Sequence, residues 1–257
     1  MALMAGKKGL IFGVANDRSL AWYIAEKLHA EGARMGFTHL PNEKMEKRVR
    51  KLVEPINATM IAPCDVQNDE QIRAVFHQAR ETMGELDFVL HAVAFANTEA
   101  LYNPFYKTKR ADFLQAMDIS AYSLVALCQQ GVEFMKPGAA VLSLTYFGSV
   151  KVIPSYNVMG VCKAALESST RYLAAELGRE KQIRVNSLSA GPCRTLSSAG
   201  ISGFQQMLDH YPTKAPLARN IESDEVGKSG LYLLSDLSSG VTGEIHYVDA
   251  GYNVIGW

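Results

Sequence analysis

Short apolar runs alternate with amphipathic segments along the whole chain. In the first amphipathic segment, apolar side chains recur every three or four residues from Leu20 to Leu28, the spacing of a helix with one buried face. The fourth apolar run, residues 86–93, is almost continuous, as expected for a strand that helices cover on both sides. On these grounds we predict seven strands, at 8–12, 34–38, 59–62, 86–93, 140–145, 183–189 and 244–248.

The segments between the strands carry the signals of helices and of their ends. Ser19 is a candidate N-cap for the first helix, and Gly32 and Gly178 are candidate stops for the first and the longest helix. Residues 196–219 have weak periodicity and several Pro, Ser and Gly residues, so we expect a mobile excursion with short helices there. The other predicted helices are 43–53, 69–83, 112–135, 156–177 and 222–234, and the helix at 112–135 ends at Pro137-Gly138.

Strands that alternate with about six helices predict one α/β domain over residues 1–257. Its core is a doubly wound, Rossmann-type parallel sheet with helices on both faces. Lysine plus arginine and aspartate plus glutamate number 26 each, so no charge excess points to nucleic acid or to an anionic membrane. No apolar run approaches the roughly 18 residues of a membrane span. The N-terminus leads straight into the first strand, which leaves no room for a signal peptide.

The cysteines and histidines show no metal-ligand spacing. The cysteines form no CxxC pair and the six histidines form no HExxH motif, so we predict no metal site. Cysteines without such spacing suit reduced thiols in a cytosol. They are Cys64, Cys128, Cys162 and Cys193.

Tyr156 and Lys163 are the most informative pair of residues. They lie seven positions apart, which is two helical turns and places both on one face. A tyrosine near an ammonium group can donate a hydrogen bond or a proton to a developing oxyanion. Tyr146 is a second candidate active-site tyrosine, which we picture lining the substrate pocket. Because the chain has eleven tyrosines, the alternative is that any one of them only packs in the core.

The turn after the first strand is a candidate phosphate site. Gly13 begins it, and Ser19 and Leu20 lead into a helix whose free N–H groups and dipole favour an anion. The usual glycine triplet is absent, so an ordinary strand-to-helix turn is the alternative. Leu40, at the end of the second strand, stands where Asp or Glu would bind a ribose and Arg or Lys a 2′-phosphate. We therefore favour NADH over NADPH.

Three further strand ends have suitable residues for a dinucleotide. Asp65 could accept a hydrogen bond from adenine, with Val66 packing nearby, although Asp65 could instead cap the next helix. Small residues at 92–96 would let a cofactor approach the backbone, with simple core packing as the alternative. After the sixth strand, a Gly-Pro turn precedes Cys193 and Thr195, and the threonine could bond a carboxamide.

Together these features resemble a divergent branch of the short-chain dehydrogenase/reductase superfamily, the bacterial NADH-dependent enoyl-acyl-carrier-protein reductases. The stretch Tyr156-Asn-Val-Met-Gly-x-x-Lys163 is the most specific match, and matching stretches cover essentially the whole chain. Ordinary members of the superfamily space the tyrosine and lysine as Tyr-x-x-x-Lys, which this chain lacks. The alternatives are a carbonyl reductase acting on 3-oxoacyl or other ketone substrates, and a catalytically silent nucleotide sensor.

The resemblance implies a reaction, partners and site residues. It implies reduction of the trans-2 double bond of enoyl thioesters on acyl carrier protein by NADH, by a cytoplasmic bacterial homotetramer in fatty-acid synthesis. From its own residues, the segment 196–219 is expected to order over cofactor and substrate as a lid, with a solvent-exposed loop as the alternative. The implied catalytic residues are Tyr156, Tyr146 and Lys163; the NAD-binding residues are Gly13, Ser19, Leu20, Leu40, Asp65, Val66, Val93, Lys163, Cys193, Arg194, Thr195, Leu196 and Ser197; the substrate-binding residues are Ala96, Met159, Phe204 and Met207.

Overall fold

The computed structural model of the protein describes residues 2–195 and 203–256. Within them, seven parallel strands form one sheet in the order β3-β2-β1-β4-β5-β6-β7. The order reverses between β1 and β4, which opens a crevice at their carboxyl ends. This confirms the predicted fold class. The strands are β1 (Lys8–Phe12), β2 (Arg34–His39), β3 (Met60–Pro63), β4 (Leu86–His91), β5 (Met135–Thr145), β6 (Arg184–Ala190) and β7 (Ile245–Val248).

Helices cover both faces of the sheet, because successive strand residues point to opposite sides. Ile11 joins an apolar cluster with Ile24 of α1 and Leu233 of α9, whereas its neighbour Phe12 joins a cluster with Phe76 of α3 and Leu166 of α7. The helices are α1 (Leu20–Ala30), α2 (Glu43–Val53), α3 (Asp69–Met83), α4 (Thr98–Tyr102), α5 (Arg110–Met117), α6 (Ser123–Gly131), α7 (Asn157–Lys181), α8 (Phe204–Lys214) and α9 (Ser223–Leu234).

The connection between β4 and β5 differs from the predicted single helix at 112–135. A π-helical turn, Asp118–Tyr122, separates α5 from α6, and the sequence pattern did not indicate it. The strand β5 begins at Met135 rather than at residue 140, because Met135 already pairs with Leu86 before the register shifts. The short helix α4 was not predicted either.

One helix end, one helix length and one cap also differ from the predictions. The helix α7 runs through Gly178 to Lys181, and the left-handed residue that ends it is Gln182, with φ of 58°. The weakly periodic segment predicted to have only short helices contains α8, which has 11 residues. Asp65 does not cap α3, because Asn68 holds that position and accepts from the Gln71 amide.

No helix of the described ranges is long and apolar enough to cross a membrane. In the same ranges, no group of three or more His, Cys, Asp or Glu side chains is arranged to hold a metal ion. All four cysteines are buried free thiols.

Candidate active site

A cavity of about 490 Å³ lies at the carboxyl ends of the central strands. Its walls come from the turn after β1, the segments after β4, β5 and β6, the start of α7, and α8. Thirteen of the predicted site residues line it, although they come from widely separated parts of the chain. These are Gly13, Ser19, Leu20, Val93, Ala96, Tyr146, Tyr156, Met159, Lys163, Cys193, Thr195, Phe204 and Met207.

The turn after β1 is stabilised by hydrogen bonds to the side chain of Ser19, its last residue. Gly13 has φ of +103°, and a Cβ atom there would lie 2.2 Å from the Ala92 carbonyl oxygen, so glycine allows the ends of β1 and β4 to approach. The Ser19 hydroxyl accepts from the amides of Ala15 (3.1 Å) and Asn16 (3.0 Å). Ser19 therefore occupies the N-cap position of α1 without capping the helix through its side chain.

Tyr156 and Tyr146 meet edge to face in the wall of the cavity, with ring centroids 5.0 Å apart. Burial raises the pKa of both phenols well above the usual range. Both side chains are therefore neutral at physiological pH and keep the proton with which they can donate a hydrogen bond.

Two glycines that the sequence prediction missed make room for Tyr156. A Cβ atom on Gly148 would lie 2.5 Å from the Tyr156 ring, and one on Gly160 would lie 2.7 Å from the Gly148 carbonyl oxygen. A side chain at position 148 would push the ring away from its place, and one at position 160 would push away the backbone of Gly148. The only sequence signal was their closeness to the two tyrosines.

Lys163 lines the same cavity as Tyr156 and is buried, with 6% of its surface exposed. Its Nζ donates to the Leu144 carbonyl oxygen at 2.8 Å, at the end of β5. Burial lowers the pKa of Lys163 to about 8, so the ammonium is held near its titration point. Burial and the Lys163 charge lower the pKa of His91, on β4, to about 3, so this histidine is neutral.

The helix α8 reaches the candidate catalytic tyrosines. The Tyr146 hydroxyl donates to the Met207 sulfur at 3.3 Å, and Phe204 lines the same cavity. On the opposite side, Met159 projects from α7. These side chains give the cavity an apolar section next to the tyrosine pair, which is suited to an acyl chain.

Some predicted cofactor residues lie outside this cavity. Leu40 is 53% exposed after β2, and Asp65 and Val66 follow β3 at the same edge of the sheet. The Asp65 carboxylate accepts from the Gln67 amide. Arg194 donates to the Gln205 side chain at 2.5 Å and faces away into a second, smaller pocket. Leu196 and Ser197 lie outside the described residues.

Comparisons with known proteins agree with the geometry of the site. A family model described as enoyl-(acyl carrier protein) reductase matches residues 13–253. The chain is 49% identical to the NADH-type enoyl-acyl-carrier-protein reductase of Nostoc sp. PCC 7120, with complete coverage of both chains. It is also 49% identical to the second such NADH-type enzyme of Rhizobium meliloti, and the match covers 98% of this chain and 93% of that protein.

Solved structures show the same similarity. The enoyl-acyl-carrier-protein reductase of Anaplasma phagocytophilum in complex with NAD is 49% identical, with a TM-score of 0.94 over 99% of this chain and 97% of that chain. The Bacillus cereus enzyme with NADP⁺ and an indole naphthyridinone is 44% identical, with a TM-score of 0.96 and full coverage of both chains. This chain belongs to the enoyl-acyl-carrier-protein reductase family.

Proposed function

We propose that this protein reduces the trans-2 double bond of enoyl thioesters carried by acyl carrier protein, using NADH, in the last reductive step of fatty-acid elongation. The observation that carries this proposal is that the neutral, buried Tyr156 and the buried Lys163 line one cavity at the reversal point of the sheet. Cofactors bind at this point in doubly wound folds. The cavity also continues to apolar side chains of α8.

NADH supplies the hydride that adds to the β-carbon of the double bond. Negative charge then develops on the thioester carbonyl oxygen, and Tyr156 is placed to donate a hydrogen bond to it. A donor aimed at charge that appears only in the transition state lowers the barrier, because it needs no reorganisation during the reaction. Proton addition at the α-carbon completes saturation. Lys163 binds and orients the nicotinamide ribose, and Tyr146 lines the thioester pocket.

The chain's own residues fit a dinucleotide. Only a residue without a Cβ atom fits at Gly13, where the backbone of the first turn meets β4. The end of β2 offers no Arg or Lys for a 2′-phosphate: His39 there is buried and its Nδ1 lies 2.8 Å from the Leu40 carbonyl oxygen. The next cations along the chain lie on α2, where Lys47 is exposed and paired with Glu43. These observations support NADH as the preferred cofactor.

The assay that tests this function measures NADH oxidation with a trans-2-enoyl thioester beside a 3-oxoacyl thioester. We expect turnover with the enoyl substrate alone, and kcat/KM at least about tenfold higher with NADH than with NADPH, since no cation offsets the extra phosphate. Turnover of the 3-oxoacyl substrate alone would instead place the chain among the carbonyl reductases. Binding of NADH without any turnover would indicate a nucleotide sensor.

We also propose that α8 and the segment around it form a lid over cofactor and substrate. The supporting observations are the Tyr146–Met207 hydrogen bond and the position of Phe204 in the cavity wall. Trypsin cleavage after Arg194 and Lys214 is expected to slow when NADH is present, because binding holds the lid closed. Cleavage at Arg34, which begins β2 far from α8, serves as the internal control. Equal cleavage rates at the first two sites with and without NADH would contradict the lid.

Acyl carrier protein is the proposed partner, and the proposed assembly is a homotetramer in the bacterial cytoplasm. The resemblance to the family supports all three. Exposed apolar side chains also fit subunit contacts: Tyr172 and Val161 lie on α7, and Val152, 96% exposed, lies just before it. Contacts between copies of the chain would remove these groups from water.

A further inference from the structure

Glu167 is a buried carboxylate whose presence the fold alone does not explain. It lies one helical turn after Lys163 on α7 and is 4% exposed. Its Oε1 accepts from the Thr145 hydroxyl at 2.7 Å. Among the described residues, no Lys, Arg or His forms an ion pair with it. Burying a carboxylate without a cationic partner destabilises a fold, so a residue kept there calls for a functional explanation.

Glu167 and Lys163 are anchored to consecutive residues of β5. The lysine Nζ donates to the carbonyl oxygen of Leu144, and the hydroxyl of Thr145 donates to the glutamate. Both ionisable side chains therefore contact neighbouring residues at the carboxyl end of β5. Lys163 reaches the cavity, whereas Glu167 does not line it.

The cysteine, tyrosine and histidine side chains around this pair carry no charge near neutral pH. Burial raises the pKa of Cys162 to about 11 and raises the pKa values of the tyrosines, while burial and the Lys163 charge lower the pKa of His91 to about 3. The next cation along α7 is Arg171, whose charge opposes the rise in the pKa of Tyr247. The titratable groups that interact with the pair are His91 on β4, Tyr156 and Cys162 at the start of α7, and Tyr247 on β7.

We infer that Glu167 is a positioning residue for the reduction: its carboxylate supplies the counter-charge that holds Lys163 as an ammonium for the nicotinamide ribose. This inference rests on the proposed role of Lys163 in NADH binding. Glu167 acts through Lys163, because it touches neither the cavity nor the reacting atoms. The Thr145 hydroxyl keeps the carboxylate in place.

The inference predicts how NADH binding depends on pH. Burial lowers the pKa of Lys163 to about 8, and the charge of Glu167 opposes that lowering. Affinity that needs the ammonium is fully present below this pKa and is lost as the pH rises through it. Without the carboxylate the lysine loses its proton more easily, so the loss of affinity must move to lower pH.

The variant that isolates the charge is Glu167→Gln, because the amide oxygen can still accept from Thr145. NADH dissociation constants are measured by fluorescence titration from pH 6 to 9.5. The midpoint of the affinity loss is expected to fall by about half a pH unit or more, with affinity at pH 6 close to that of the unmodified protein. The matched control is Glu176→Gln, which makes the same change at an exposed position of α7 and should leave the midpoint unchanged.

Three results with the two glutamine variants would overturn the inference. The first is an unmoved midpoint of affinity loss in Glu167→Gln, and the second is an equal shift of the midpoint in Glu176→Gln. The third is a uniform loss of NADH affinity at every pH in Glu167→Gln, because that loss would indicate a merely structural role. If Glu167→Gln does not fold, Glu167→Asp is the second variant. It retains the negative charge, so the midpoint of its affinity loss must match that of the unmodified protein. A lowered midpoint in Glu167→Asp would contradict the inference. Because the readout is cofactor binding, it remains informative even where the enoyl thioester is not reduced and the proposed function fails.

Discussion

Replacing Tyr156 with phenylalanine is expected to lower kcat for the enoyl thioester by about 10²–10³-fold and to leave NADH affinity nearly unchanged. Loss of one preorganised donor to a developing oxyanion raises the barrier by about 3 kcal/mol. The change removes only a hydroxyl, so the ring keeps its edge contact with Tyr146 and its place beside Gly148. Steady-state kinetics and NADH titration measure the two quantities separately.

The control for this variant is Tyr106→Phe, the same change at a side chain that is 81% exposed and does not line the cavity. It should retain full activity. A kcat for Tyr156→Phe within about threefold of the unmodified enzyme would show that another group supplies the hydrogen bond, since even a single neutral hydrogen bond contributes about 1 kcal/mol. Tyr146, whose hydroxyl faces Met207, would then be the group to replace next.

Replacing Lys163 with methionine is expected to weaken NADH binding by about 10–100-fold. Hydrogen bonds to charged groups contribute about 1.5–3 kcal/mol, and the ammonium is the candidate partner of the ribose hydroxyls. Methionine fills the buried volume of the lysine stem, so the loss reports the charge rather than a cavity. Titration of NADH fluorescence measures the effect.

Lys181 offers a matched control for this change. It lies on the same helix, and its Nζ also donates to a backbone carbonyl, that of Val132, at 2.9 Å, but it is not part of the cavity wall. Lys181→Met should therefore bind NADH normally. An unchanged NADH affinity in Lys163→Met would rule out the cofactor role, and a reduced kcat alone would make the lysine part of proton transfer instead.

The order of strands and helices could be predicted from the sequence because apolar residues recur at different spacings in the two kinds of element. Buried apolar runs such as β4 and amphipathic runs such as α1 differ in the spacing of apolar residues, and Gly and Pro separate them. The predicted ends of strands and helices were wrong where tertiary contacts outweigh local sequence signals. Gly178 is tolerated inside α7, and Met135 joins β5 early because Leu86 is there to pair with it.

The candidate site was predictable to the extent that its residues stand at strand ends. Tyr146, after β5, and Cys193, after β6, meet in one cavity because the carboxyl ends of parallel strands share an edge. The sequence could not show that Gly148 makes room for Tyr156, because that requires knowing which backbone passes the ring. Nor could it show the Thr145–Glu167 hydrogen bond, which joins a strand to a helix.

The hydroxyl of Ser19 has a consequence for how quickly a cofactor can bind. This hydroxyl already accepts hydrogen bonds from the amides of Ala15 and Asn16, so the turn is ordered before any ligand binds. The entropic cost of ordering it is therefore not part of the free energy of binding. Under the proposed function, a dinucleotide would meet a rigid turn, and its association rate would depend on diffusion and on the proposed lid rather than on ordering of the turn. An internal hydroxyl thus replaces the glycine-rich turn by which other chains of this architecture accommodate the same ligand.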